Sequence, residues 1–476
     1  MGNSNRQIRG GLIFEASPFG AIQQLPLPDT VTISIPENEA VTIAVGERVL
    51  TGQPLIHRSK NSVMSHASVS GVVTDISARS VTINSDNQDE AYTHNKTTSD
   101  YQSLFHSMGL VGLGGAAFPV FRKLQPTQTD EGIHTLLINA AECDPAIYCD
   151  EALMQERAAD VVKGIQIARQ ATSAKNCIVG IEENKTKAIE QLQKHLPDDI
   201  QLISVPAIYP SGSEQILFKL CTGKNGSLQN NGVVCFNVAT CYSMYRAVEL
   251  SQPLISRIVT VVSNDRVANF ELRIGTPLHC LKATTESTVD DLFIEGGRMM
   301  GRPVSRDQFI GKQTNSLIVQ SGKSPQAAPC IRCGACADVC PESLYPQQLY
   351  WHTQPHNTSA LTELKLEQCI ECACCDAVCP SHIPLADLFN KASLTIQAEQ
   401  AEQDKAALAK RRYEKRLSRL NDQSMRQRKE LDHKTTNLAD AGKTDKAKKA
   451  LIAKALQRSK NKKSSGPETG TKDSPR

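Results

Sequence analysis

The sequence is poor in the material of membrane spans and aromatic-rich cores. Only 4% of its 476 residues are aromatic, with a single tryptophan, and the mean hydropathy is −0.32. The longest apolar runs, such as RIVTVV at 257–262, fall far short of the roughly 18–20 residues a spanning helix needs. A bundle of membrane helices is excluded. The N-terminus, MGNSNRQIRGG, has no apolar core like that of a signal peptide, and Arg6 stands where a myristoylation motif wants Ser or Thr. The expectation is a chain of the reducing interior, where structural disulfides are rare. Net charge is also small, +3, but unevenly laid out. Residues 401–476 carry 22 Lys and Arg against 10 Asp and Glu, leaving 31 against 40 in the first 400. An acidic body bears a basic tail.

Cysteine, by contrast, is abundant: 16 residues. The run CIRCGACADVCP (330–341) reads C-x2-C-x2-C-x3-C-P, and the same spacing laid on CIECACCDAVCP (369–380) selects Cys369, Cys372, Cys375 and Cys379. Cys374 falls out of register. Zinc sites use paired C-x2-C units with four ligands in all, which eight cysteines in two such runs do not match. A cubane cluster takes three thiolates from one tight run, and in two-cluster ferredoxins the fourth cysteine serves the other cluster. Two [4Fe-4S] clusters are therefore expected, one held by Cys330, Cys333, Cys336 and Cys379. The other is held by Cys369, Cys372, Cys375 and Cys340. The remaining cysteines, at 143, 149, 177, 221, 235, 241 and 280, read as small buried hydrophobes. Cys143 is set apart by its loop.

The length allows about three or four ordinary domains, and the pattern predicts a multidomain α/β plus β chain. Residues 1–95 show short strands punctuated by Gly, Pro, Asn and Ser, a barrel-sandwich-like β domain. The segments VGERVLTGQPLI and SHASVSGVVTDI resemble the two halves of a lipoyl- or biotinyl-type barrel. Lys60 lies between them outside the usual lysine-centred hairpin, which favours a bare structural barrel. Residues 96–255 alternate helix and strand as a layered nucleotide-binding α/β domain does. In DEALMQERAADVVKGIQIARQAT, one helical stripe holds Leu153, Ala158, Val161, Val162, Ile165 and Ala168. Residues 256–320 are β-rich, a small β-grasp-like domain, and 321–395 form the two-cluster ferredoxin-like domain. Residues 396–476 are a basic helical or disordered tail.

The loop GLVGLGGAAFPVFRKL (109–124) carries Gly112, Gly114 and Gly115, glycines of the kind that let a backbone approach a phosphate. It resembles the flavin loop of the NADH-oxidising subunit of respiratory complex I, G-x-G-G-A-G-F-P with a lysine four residues on. Gly112, Gly114, Gly115, Phe118 and Lys123 match, and Ala117 replaces a glycine. The next motif of that family, N-A-D-E-x-E-P, stands here as NAAECDP. It keeps Asn139 and Glu142, puts Asp144 for the second Glu, and has Ala141 where that family has an aspartate. YPSGSE keeps Glu214 but has Ser213 for a Glu, and NVAT keeps Asn237 and Thr240.

Over residues 8–390 the chain is more similar still to the C subunit of the Rnf-type electron transport complex. RGGL, VGLGGAAFP, INAAECDP, RIGTPL, GGRMMG and both cysteine runs occur in order. This resemblance implies a peripheral subunit on the cytoplasmic side of the bacterial inner membrane, binding FMN and NAD(H). Electrons would pass between NAD(H), FMN and the clusters, on the side of ferredoxin or an equivalent carrier. Membrane subunits would couple that flow to ion translocation, and the complex would help keep a redox-sensing regulator reduced. It implies Gly112, Gly114, Gly115, Phe118, Lys123, Asn139, Glu142, Asp144, Glu214, Asn237 and Thr240 as the FMN and NAD residues. The alternatives are a soluble NADH-dependent iron–sulfur flavoprotein subunit and an iron–sulfur relay without flavin. The basic tail suits a solvated face or docking on anionic lipid. Nucleic-acid binding is least expected, since Tyr413 is the tail's only aromatic residue.

Overall fold

A computed structural model describes residues 8, 10–14, 19–57, 62–94, 100–125, 132–142, 144–263, 266–281, 291–321, 326–353, 357–441 and 445–461. Lys60 and Cys143 lie outside these residues. The chain forms two units, Met1–Ser393 and Leu394–Arg476.

In chain order the first unit opens with β1 (Ile22–Gln24), β2 (Thr30–Ser34), β3 (Arg48–Val49), β4 (Gly71–Ile76) and β5 (Ser80–Ser85). The last four make an antiparallel sheet ordered β2-β5-β4-β3. Period-2 alternation turns Val31, Ile33, Val81 and Ile83 inward. Their core is continuous with that of the following α/β layer through Phe105, Met108 and Leu110.

That layer contains α1 (Tyr101–Ser107), α2 (Val120–Lys123), β6 (Thr135–Asn139), α3 (Cys149–Glu156), α4 (Ala158–Thr172), β7 (Asn176–Glu182), α5 (Thr186–Gln193), β8 (Ile200–Val205), α6 (Glu214–Thr222), β9 (Val233–Asn237) and α7 (Val238–Glu249). The four strands are parallel and ordered β8-β7-β6-β9. Strands β6, β7 and β8 wind one way and β9 returns to the other side of β6. The carboxyl ends of β6 and β9 therefore flank the crevice where such sheets bind ligands. Asn139 and Asn237 are register partners there.

The stripe expected as one helix is broken in two. At Arg157 the backbone leaves the helical region (φ −128°, ψ 32°). Its guanidinium is anchored by Tyr242 Oη at 2.7 Å and Glu271 at 2.8 Å. The apolar stripe is still buried on both sides of the break.

A mixed sheet follows, from β10 (Ser256–Ser263), β11 (Arg266–Arg273), β12 (Asp291–Glu295), β13 (Arg302–Val304) and β14 (Ser316–Ser321), ordered β1-β11-β10-β14-β12-β13. Its edge strand β1 comes from the N-terminal region, which the sequence pattern assigns wholly to the barrel. Three residues, IQQ, are too short to show a period. The cysteine runs lie on short loops with one-turn helices at Ala335–Asp338 and Cys374–Ala377, separated by helices Pro346–Thr353 and Thr358–Glu363. A long helix, Leu385–Ala441, then begins ahead of the expected tail boundary. Residues 397–435 are exposed throughout, so no tertiary packing supports this part of the helix. Cys149, Cys177, Cys221, Cys235 and Cys241 are buried as expected; Cys280 is not, being exposed.

Helices α4 and α7 touch backbone to backbone at Gly164. A Cβ there would lie 1.9 Å from the Cys241 carbonyl oxygen. Gly164→Val should destabilise the fold by about 3 kcal/mol through forced separation of the helices. The shift of the urea midpoint measures it.

Candidate functional site

The glycine-loop residues expected to meet a cofactor converge at the crevice between β6 and β9. The loop folds back on itself, with Gly112 N–H donating to the Phe118 carbonyl at 2.8 Å. Leu113 N–H donates to Thr240 Oγ1 at 2.9 Å, fixing the loop to the first turn of α7. Asn237 caps that helix by accepting from Ala239 N–H at 2.9 Å. Gly114 faces Asn237: an added Cβ would stand 3.6 Å from Asn237 Cβ. Gly115 has φ +107°, a conformation glycine takes freely, and its missing Cβ would meet only Asn315 at 3.9 Å. Ala117 also has positive φ, +49°, at the position where the resembling flavin loop has glycine. Lys123 Nζ reaches the Cys235 carbonyl at 3.0 Å and Glu214 at 3.2 Å. Phe118 is 45% exposed on the same loop.

Glu142 and Asp144 are turned elsewhere. Asp144 accepts from the N–H groups of Arg298 at 2.7 Å and Met299 at 2.8 Å, capping the GGRMMG turn. Gly297 must be glycine for this, since a Cβ would fall 1.8 Å from Asp144 Cγ. Burial raises the Asp144 pKa, and those N–H groups oppose the rise. Expected as a nucleotide contact, Asp144 has its carboxylate committed to its own chain. Asn139 likewise ties two loops, donating to the Gly212 carbonyl at 2.8 Å and accepting from Ala141 N–H at 3.0 Å.

Glu142 joins a buried charge cluster that the sequence reading missed. Lys185 Nζ lies 2.7 Å from Glu142, 3.0 Å from Glu151 and 3.4 Å from Glu182. Burial works against the lysine's charge, but the carboxylates outweigh it, Glu142 foremost, and the ammonium is strongly favoured. One cation cannot neutralise three carboxylates, and burial pushes Glu142 up to about 8. Glu142 also accepts from Asp150 N–H at 2.7 Å, and Asp150 bonds to the Asn237 amide. A hydrogen-bonded path thus runs from Lys185 to Asn237, the residue that Gly114 faces. Arg257, buried, donates to the Leu113 carbonyl at 3.1 Å, and its Nε has no partner among the described residues. The signal for this cluster was present as charged residues at or just past the ends of apolar strands, Glu142 after β6 and EENK at 182–185 after β7.

The cysteines gather into two sets, each around its own cavity. Cys330, Cys333 and Cys336 line one with Cys379, together with Ile331, Tyr350 and Ile383. Cys369, Cys372 and Cys375 line the other with Cys340, together with Leu344, Leu349 and Phe389. Each cavity gathers the four cysteines of one expected set, and such cavities fit iron–sulfur clusters, because thiolate sulfur is the ligand they take. Cys374, out of register in the sequence, is buried in the second wall, and its thiol donates a hydrogen bond to the Cys372 sulfur. The glycine loop, with Gly112, Gly114 and Gly115 bare of side chains and a lysine beyond, fits an anionic phosphate.

Comparison with known proteins follows this division of the chain. The Nuo51 FMN-binding domain matches residues 105–246, a 4Fe-4S dicluster domain 329–383, and the RnfC barrel sandwich hybrid domain 15–93. The C subunit of the ion-translocating oxidoreductase complex of Citrobacter koseri is 38% identical over 93% of this chain and 67% of its own length. The chain belongs to the RnfC family. The corresponding protein of Yersinia pestis is 38% identical over 87% of this chain and 73% of its own. That of Edwardsiella ictaluri is 39% identical over 84% of this chain, which spans only 54% of that relative. An NAD+-reducing [NiFe]-hydrogenase structure aligns with TM-score 0.43 at 15% identity, covering 63% of this chain and 61% of that one. Among the described residues no helix is long and apolar enough to cross a membrane.

The Lys185 cluster can be tested by stability. Lys185→Met leaves buried carboxylates without their cation and should destabilise the protein by about 3–5 kcal/mol, read from urea unfolding. Its pH dependence is a separate readout. A carboxyl whose folded pKa lies near 8, above its ordinary 4.5, stabilises the fold below 4.5 and loses that contribution as pH rises through 8. Unfolding midpoints should fall from pH 5 to 8 more steeply in the native protein than in Glu142→Gln. Equal slopes would reject the assignment.

Proposed function

We propose that this chain is a peripheral subunit of an ion-translocating oxidoreductase complex. It would carry electrons between NAD(H) and a ferredoxin-side carrier through FMN and two [4Fe-4S] clusters. The observation that carries the reading is the joining, in one compact unit, of a glycine loop at a parallel-sheet switch point to two four-thiol cavities. When bound, FMN exchanges a hydride's two electrons with nicotinamide and single electrons with iron–sulfur clusters.

The protein's own part is to bind and orient. The backbone of Gly114 and Gly115 offers N–H groups to a phosphate, and Lys123 supplies the countercharge. Thr240 and Arg257 keep the loop in position, and Asn237 caps the helix that carries Thr240. Phe118, half exposed, would cover one side. Glu142 holds a proton near neutral pH beside Lys185, so the mouth of the sheet is less acidic than its carboxylates suggest. Membrane subunits of the complex would provide the ion pathway and hold this chain on the cytoplasmic face of the inner membrane. The basic tail suits an anionic lipid surface, gaining about 1 kcal/mol per Lys or Arg near it. Keeping a redox-sensing regulator reduced would be a further role of such a complex.

One observation favours the second reading, a relay without flavin. Ala141 is packed in an apolar cluster with Leu137 and Phe218, where the flavin family has an aspartate. Flavin content separates the two. Protein purified without oxygen should release FMN and contain about eight irons, and NADH should bring up cluster EPR signals. Lys123→Ala should weaken FMN binding by about tenfold or more, the worth of one charged hydrogen bond. About eight irons with no flavin, even after FMN is supplied, would leave the relay reading.

A further inference from the structure

The two thiol sets are not equivalent in their surroundings. The loop of the second set is fastened to the α/β layer and to the N-terminal segment. Tyr209 Oη donates to the Cys372 carbonyl at 2.6 Å. Ile370, between Cys369 and Cys372, packs against the apolar cluster of Leu137, Ala141 and Phe218. Gly11 N–H donates to the Val339 carbonyl at 2.9 Å, and Leu12 bridges to Tyr209. Gly10 sits so close to Val339 and Cys340 that a Cβ would lie 2.8 Å and 2.9 Å from their backbones. The contacts to the cysteine runs fall at or beside ligands of the second set, Cys340, Cys369 and Cys372, and Leu12 ties the N-terminal segment to Tyr209. Tyr209 also opens the loop that leads to Glu214, the partner of Lys123 at the glycine loop.

The first set looks outward. Cys333 is exposed, Ile331 is 68% exposed, and the Arg332 guanidinium lies 4.6 Å over the half-exposed ring of Trp351. None of the contacts that fasten the second set reaches this cavity's wall.

We propose that Cys369, Cys372, Cys375 and Cys340 form the inner set, adjoining the glycine-loop layer. Cys330, Cys333, Cys336 and Cys379 form the outer set, which receives electrons by way of the inner one and presents them to a partner. This rests on the function proposed above. In balance, one NADH yields NAD+, one proton and two electrons; these leave the glycine-loop layer singly, and one electron reduces each centre.

The test uses the full chain with iron, sulfide and FMN restored under anaerobic conditions. In Cys330→Ala/Cys336→Ala, the remaining EPR signal should grow after NADH as fast as in the native protein. In Cys369→Ala/Cys375→Ala, the fast phase of NADH reduction should be lost, while dithionite still reduces the remaining centre and shows it intact. An undiminished fast phase there overturns the order. A second measurement does not depend on NADH. After dithionite reduction, a soluble dysprosium chelate should broaden the signal of the outer set and spare that of the inner. The reverse pattern, or equal broadening, overturns the assignment. A native protein whose centres respond to dithionite but never to NADH defeats the proposed function, and the chelate experiment still decides which set faces outward.

Discussion

A single buried ammonium holds the mouth of the parallel sheet. Lys185 follows β7, and the carboxylates it gathers come from the β6 loop, from α3 and from the end of β7 itself. Burying three carboxylates with one cation is unfavourable unless they are hydrogen-bonded and one remains protonated. The cluster meets both conditions: Glu142 accepts the Asp150 N–H, and its pKa is raised. Asp150 in turn holds Asn237, the residue that Gly114 faces, so this balance of charge extends to the edge of the glycine loop. On either side of the break at Arg157, α3 presents its first turn to Glu142 and α4 packs on α7.

A second constraint is close approach without side chains. Gly10, Gly11, Gly164 and Gly297 each stand where a Cβ would meet other atoms at less than 3 Å. Two of them seat the N-terminal segment against the cysteine loops and the Tyr209 loop, one joins α4 to α7, and one admits Asp144 to the turn it caps. Bulk at these points would push apart the backbones that meet there, including the N-terminal segment and the run that carries Cys340.

Much of the site was legible in the sequence. The cysteine spacing divided eight thiols into two sets of four, because the loop geometry of such a run leaves its fourth cysteine pointing away. The glycine loop was legible for a similar reason, as its spacing reflects a local backbone shape. Asp144 was different: its motif position suggested a ligand contact, yet its oxygens meet N–H groups 154 and 155 residues further on. Cys280 misled in the opposite direction, since a lone cysteine carries no sign of whether its segment is covered.

Local chemistry was thus written in the sequence by itself: the thiol spacing, the flexible glycines, the apolar strands of the parallel sheet and the charge of the tail. Those features depend on neighbours a few residues away. Tertiary structure decided what lies between distant segments: that β1 completes a sheet hundreds of residues downstream, that Lys185 collects three carboxylates, and that Tyr209 and Ile370 bring one thiol set, not the other, against the α/β layer. Such choices follow from packing and from the cost of leaving a buried charge or donor unpaired, and no spacing along the chain encodes them.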